Sequence, residues 1–135
     1  MNDMNMNWYS VKLLYKMTVT GKPEPALMDE YFSNSTEFFE ESIVLAKADS
    51  FENAFQIAED NARKNTEVYI NKYGQAVTKK LYDTINCFEL CDSPQMLTEV
   101  YSTIFCKNEG SDENSAIDKR YESCSVEKMH MLRYR

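Results

Sequence analysis

The stretch FFEESIVLAKADSFENAFQIAEDNARK, Phe38 to Lys64, changes its hydrophobic period part-way along, and that change decides the fold class. Phe38 to Ala48 is rich in aromatic and β-branched residues, which fit a pleated surface, and it reads as a strand. From Ser50 the period becomes helical: Phe51, Ala54, Phe55, Ala58 and Ala62 form one stripe. Ser50 is placed to cap the first turn, Glu52 sits near the positive end of the helix dipole, and Asn65 suits a left-handed stop. A helix over about Phe51 to Lys64 follows.

Working outward, WYSVKLLYKMTVT from Trp8 to Thr20 alternates cleanly. Tyr9, Val11, Leu13, Tyr15, Met17 and Val19 fall on one side, and Ser10, Lys12, Lys16, Thr18 and Thr20 mostly on the other, as in a strand with one buried face. Gly21, Pro23 and Pro25 end it, and Leu27, Met28, Tyr31 and Phe32 suggest a short helix in a long excursion. After the main helix, EVYINKYGQAV reads as a short strand and a turn from Asn71 to Gly74, with a return strand to about Leu90. TEVYSTIF, Thr98 to Phe105, reads as a last strand with apolar residues on both faces. KNEGSDEN is then a polar loop, and an S-x-x-D start at Ser115 and Asp118 opens a final helix carrying Ile117, Tyr121 and Cys124.

The expected fold is therefore α+β: an antiparallel-rich sheet of about four to five strands with one main helix packed on one face. Strands flanking the helix, if parallel, require a right-handed crossover. The expected organisation is a flexible terminus over residues 1–7, a single domain over 8–106, and a polar loop, short helix and solvated tail over 107–135. A chain of 135 residues, 43% apolar and 13% aromatic, supports one core despite a net charge of −7.

Composition also narrows the chemistry. No apolar run is long enough to span a membrane and the first residues do not resemble a secretory signal, so a cytoplasmic protein without membrane partners is expected. Cys87, Cys91, Cys106 and Cys124 are then expected as free thiols. Cys87 and Cys91 on one strand would lie about 13 Å apart, too far for one zinc ion, so no metal or cofactor is expected. Acids outnumber bases 22 to 15, which disfavours nucleic acid, and MHMLRYR is the main basic cluster.

No catalytic constellation emerges. Ser102 lacks a motif that would pair it with His130, and Glu40, Glu41, Glu89 and Glu99 have no partner at fixed spacing. Candidate surface or ligand contacts are Trp8, Glu41, Glu99 and Tyr101. The functional expectation is a non-catalytic protein-interaction module, its partner a second copy of the chain or another protein. A small-molecule-binding protein or enzyme built on strand carboxylates and tyrosines is the alternative.

The order of several short blocks also carries a resemblance: WYSVKLLYK, EESIVLAKADSFENAFQIAE, Tyr69 with Asn71 and Gly74, Phe88-Glu89-Leu90, and TEVYS. From Trp8 to Phe105 the chain resembles an uncharacterised bacterial family, domain of unknown function four-two-eight-eight. The resemblance implies a compact domain and no particular activity. The family pattern usually has a glycine immediately before TEVYS, where this chain has Leu97.

Overall fold

The computed structural model of the chain describes residues 5–33, 37–122, 125 and 127–134. Strand β1 spans Asn7–Thr20, β2 Phe38–Ala48, β3 Glu67–Ile70 and β4 Ala76–Glu89. Helix α1 spans Phe51–Lys64 and α2 Glu113–Arg120. The strands form one antiparallel sheet in the order β2-β1-β4-β3, curled into a half-barrel. β2 and β3, which flank α1 in sequence, lie antiparallel at opposite edges, so the handedness rule for parallel crossovers has nothing to act on here.

Curling has a local cause. β1 pairs with β2 without interruption from Asn7 opposite Ala48 to Met17 opposite Phe38. Against β4 the register slips twice, leaving Ile85 and Tyr82 as extra residues between Asn86 opposite Lys12 and Leu81 opposite Tyr15. Each bulge bends the strand that holds it and increases local twist.

The concave side holds the core, and it is the side that the alternation of β1 selects. Tyr9, Val11 and Leu13 are buried in one cluster with Ala46, Ala48 and Leu81 and with Ala54, Ala58 and Ala62 of α1. Three alanines at helical spacing let the α1 backbone approach the strands closely. Ser50 caps α1, its side chain accepting from the Asn53 amide at 3.1 Å. Asn65 ends the helix at φ −106°, outside the left-handed region, with its side-chain amide donating to the Asn61 carbonyl at 2.7 Å. Phe51 stays largely exposed, its ring edge-on to Tyr9 at 5.0 Å, and Phe55 is half-buried.

A second buried cluster fills the other end of the concavity: Phe38, Tyr73 and Met131, with Met17, Val19, Phe32 and Leu132 packed against it. Its members come from the sheet, the excursion after β1, the β3–β4 turn and the segment Lys128–Leu132. The segment around Met131 is therefore not a solvated tail. Met131 is 2% exposed, the Asn71 side-chain amide donates to its carbonyl at 2.8 Å, and the Lys72 amide donates to the Arg133 carbonyl at 2.8 Å.

Three further expectations need correction. TEVYSTIF is not a strand: residues 98–105 belong to no sheet, so the sheet has four strands among the described residues. Its hydroxyls and divided apolar residues suit an extended segment lying across other elements as well as they suit a ladder. The final helix starts earlier than Ser115, because Asp112 accepts from the Ser115 amide at 3.0 Å and caps it; Cys124 lies outside the described residues. The short helix of the excursion is a single 3-10 turn, Pro25–Leu27, and among the described residues it does not extend to Tyr31 and Phe32.

Candidate functional site

The convex face of the sheet carries the even-numbered residues of β1. Lys12, Leu14 and Lys16 stand there opposite Ile43, Glu41 and Phe39 of β2 and opposite Asn86, Asp83 and Lys80 of β4. Phe39, Ile43, Leu45, Tyr82, Val68 and Ile70 are all large, apolar or aromatic, and exposed. Val44, opposite Val11, packs against the core, and Ile43 faces out at 45% exposure.

At the centre of this face the structure gathers two of the candidate residues, Glu41 and Tyr101, around Lys12, which the sequence placed on the polar side of β1. Lys12 pairs with Glu41 at 3.3 Å, and its ammonium lies 5.4 Å from the Tyr101 ring centroid. Asn86 donates to the Tyr101 hydroxyl at 3.2 Å, and Phe88 lies 6.5 Å from the Tyr101 ring. Tyr101 thus fastens the segment after β4 onto the convex face. Trp8 is separate from this group, with Lys47 5.9 Å from its ring centroid. Glu99 is exposed and borders a recess of about 300 Å³ with Phe88, Cys91 and Leu97.

Towards the other end, Lys16 and Lys80 stand directly opposite each other, an arrangement that like-charge repulsion disfavours. Neither has a carboxylate within ion-pair distance among the described residues. Aromatic rings flank them: Phe39 and Tyr82 meet edge to face at 5.8 Å, and the Lys16 ammonium lies 6.0 Å from the Phe39 centroid. Lys16, Lys80 and Tyr82 border a groove of about 460 Å³ with Thr18 and Thr78. Lys16 was visible on the polar side of β1 in the sequence. Its meeting with Lys80 depends on two bulges that no periodicity reveals.

A second polar group lies where excursion, turn and tail converge. Asp29 accepts from the Tyr73 hydroxyl at 2.6 Å and from the Tyr31 amide at 3.0 Å, and pairs with Lys72 at 2.8 Å. These donors, Lys72 first, hold the Asp29 carboxyl down at about 2, and burial, with Asp29 behind it, pushes the Tyr73 phenol up. Lys72 Nζ is also 3.2 Å from His130 Nδ1, and His130 stacks on Tyr31 at 4.2 Å between centroids. The histidine that could have served Ser102 is therefore engaged with Tyr31 and Lys72. Nothing in the spacing of Asp29, Lys72 and His130 announces this meeting.

Among the strand carboxylates, Glu40 is ion-paired with Lys79 and Glu41 with Lys12. Cys87, Cys91 and Cys106 are free thiols, and no group of three or more His, Cys, Asp or Glu able to hold a metal occurs among the described residues. Among the described residues no helix is long and apolar enough to cross a membrane.

Residues 8–102 match the family model described as domain of unknown function, DUF4288. The chain belongs to this family. No curated protein and no solved structure matches it. The family region covers the sheet, α1 and the Tyr101 anchor, whereas Met131 and His130, which complete the second cluster and the Asp29 network, come from outside it.

Leu97, immediately before TEVYS, adopts φ +67°. A turn forms here: the Thr98 amide donates to the Gln95 carbonyl at 3.1 Å, and the Gln95 amide to the Thr98 hydroxyl at 3.0 Å.

Proposed function

We propose that this DUF4288 domain is a non-catalytic protein-interaction module whose convex sheet face docks a segment of another protein bearing acidic and apolar side chains. The observation that carries the reading is the pair Lys16 and Lys80, opposed between Phe39 and Tyr82 with no carboxylate within ion-pair distance among the described residues, on a face continued by exposed Ile43 and Leu45. In a chain of net charge −7, cations grouped among exposed apolar side chains complement an acidic, apolar ligand. Lys47 beside Trp8 extends the same character along the face. Trp8, Glu41 and Tyr101 lie on this surface, and Glu99 at its border, as its contact residues. The reading as an enzyme built on strand carboxylates draws less support, because Glu40 and Glu41 are each held by a lysine.

The test is fluorescence anisotropy with two labelled synthetic peptides, one alternating Glu and Leu and the other alternating Lys and Leu. Binding of the acidic peptide, weakened by added salt and by Lys16→Glu or Lys80→Glu in protein of unchanged circular dichroism, is expected. Equal binding of the basic peptide, or no binding of either, would remove the proposal.

A further inference from the structure

Edge strands expose unpaired backbone donors and acceptors, and folded proteins blunt them with short length, proline, bulges or covering elements. The two edges of this sheet are treated differently. β3 has only four residues, and the chain continues from it into Asn71, whose bridge to Tyr134 closes the neighbouring edge. β2 has eleven residues, contains no proline, pairs with β1 in an unbroken register, and has no strand on its other side among the described residues. Its convex-facing side chains include exposed Phe39, Ile43 and Leu45. It is a long, regular and apolar edge.

The sequence of that edge is complementary to itself. In an antiparallel pair, directly opposed residues share a face. A two-fold axis perpendicular to the sheet and passing beside Val44 therefore sets Ile43 opposite Leu45 of a second copy, and Glu41 opposite Lys47, each occurring twice. On the concave side it sets Ser42 opposite Ala46, two small side chains, and Glu40, which is ion-paired with Lys79, opposite Ala48. No like charges are opposed. Moving the axis to Ile43 instead sets Glu41 against Leu45 and Phe39 against Lys47, and both matches are lost.

We infer that two copies of the chain join β2 to β2 in antiparallel register about Val44, making one continuous eight-stranded sheet. The interface is isologous, and its backbone hydrogen bonds supply affinity while the Glu41 to Lys47 and Ile43 to Leu45 pairs fix register. The two convex faces then become one surface. This inference does not rest on the docking of an acidic segment, which peptide anisotropy reads separately.

Sedimentation of the full chain over a range of concentrations tests it, with circular dichroism confirming that each variant is folded. The wild type is expected to form a dimer. Glu41→Lys and Lys47→Glu should each weaken the dimer by about tenfold or more, because each places like charges opposite one another twice, and the double exchange should restore it. Glu41 also pairs with Lys12, so the rescue by the double exchange, rather than either loss alone, reports on the interface. Amide exchange of the wild type supplies a reading that needs no variant: protection of Phe38 to Ala48 should rise with protein concentration. A monomer at all concentrations, a dimer indifferent to both single exchanges, a double exchange that fails to restore it, or concentration-dependent protection confined to another element each overturns the inference.

Discussion

The Tyr73 hydroxyl donates to Asp29 at 2.6 Å, joining the turn between β3 and β4 to the excursion between β1 and β2. Both groups are shifted by the contact and its surroundings, in directions that make stability depend on pH at both ends of the scale. The Asp29 carboxyl, held at about 2, lies below its unfolded value of about 4, so the stability it adds is present above pH about 4 and is lost as pH falls towards 2. Tyr73 is shifted upward, so its contribution is full below pH about 10 and is lost as pH rises beyond that. Urea midpoints measured from pH 5 down to pH 2 should fall less steeply for Asp29→Asn than for the wild type. Parallel slopes would mean that the carboxylate is not linked to folding.

Met131 provides a sharper test of the second cluster. It is fully enclosed among Phe38, Tyr73 and their neighbours, and the Ser33 amide points at its sulfur at 3.4 Å. Met131→Ala should lower stability by about 2 to 4 kcal/mol, as for other large-to-small changes in a core. Met129→Ala, an exposed position in the same short segment, should change it by less than about 0.5 kcal/mol. Equal and small effects from the two would show that the segment carrying them is not part of the folded core.

Cysteine labelling separates the described thiols by environment. Cys87 faces the core cluster, and burial, aided by the nearby Glu89, pushes its thiol up, so it holds little thiolate near neutral pH. Cys91 and Cys106 are exposed. Alkylation followed by peptide mapping should find Cys91 and Cys106 modified well before Cys87 in native protein, with the difference removed in urea. Equal native rates would contradict the packing of Cys87 between β4 and the core.

What the sequence disclosed and what it withheld divide by range. The alternation of β1, the stripe and cap of α1, and the turn at Asn71 were legible because each is set by neighbours within a few residues. Asn71 shows how completely: its side-chain oxygen accepts from the amides of Tyr73 at 3.0 Å and Gln75 at 2.9 Å, closing the turn locally. The meeting of Lys16 with Lys80 was not legible, because bulges at Tyr82 and Ile85 shift the pairing without interrupting the apolar pattern. Burial of Met131 was equally hidden, since the short segment Lys128–Leu132 docks by fitting a cavity that three distant parts of the chain create. In β2, apolar Ile43, Val44 and Leu45 run consecutively, so no alternation marks which face each one takes. TEVYSTIF misled for a related reason: a segment anchored by Tyr101 across a sheet has the composition of a strand without a ladder.

Leu97 offers a direct measure of backbone strain. Its φ of +67° lies in the left-handed region, which costs an ordinary L-residue about 1 to 2 kcal/mol and glycine almost nothing. The side chain is 93% exposed, so little packing is lost when it is removed. Glycine loses more conformational freedom on folding, by about 0.5 to 1 kcal/mol, and this offsets part of the relief. Leu97→Gly should therefore raise stability by about 0.5 to 1 kcal/mol, seen as a higher urea midpoint at unchanged slope. Leu97→Ala keeps both the Cβ and the strain and should leave the midpoint within about 0.5 kcal/mol of wild type. Leu97→Val, with a branched Cβ in the same region, should lower it. A glycine variant no more stable than the alanine variant would place the turn at Gln95 to Thr98 outside the left-handed conformation.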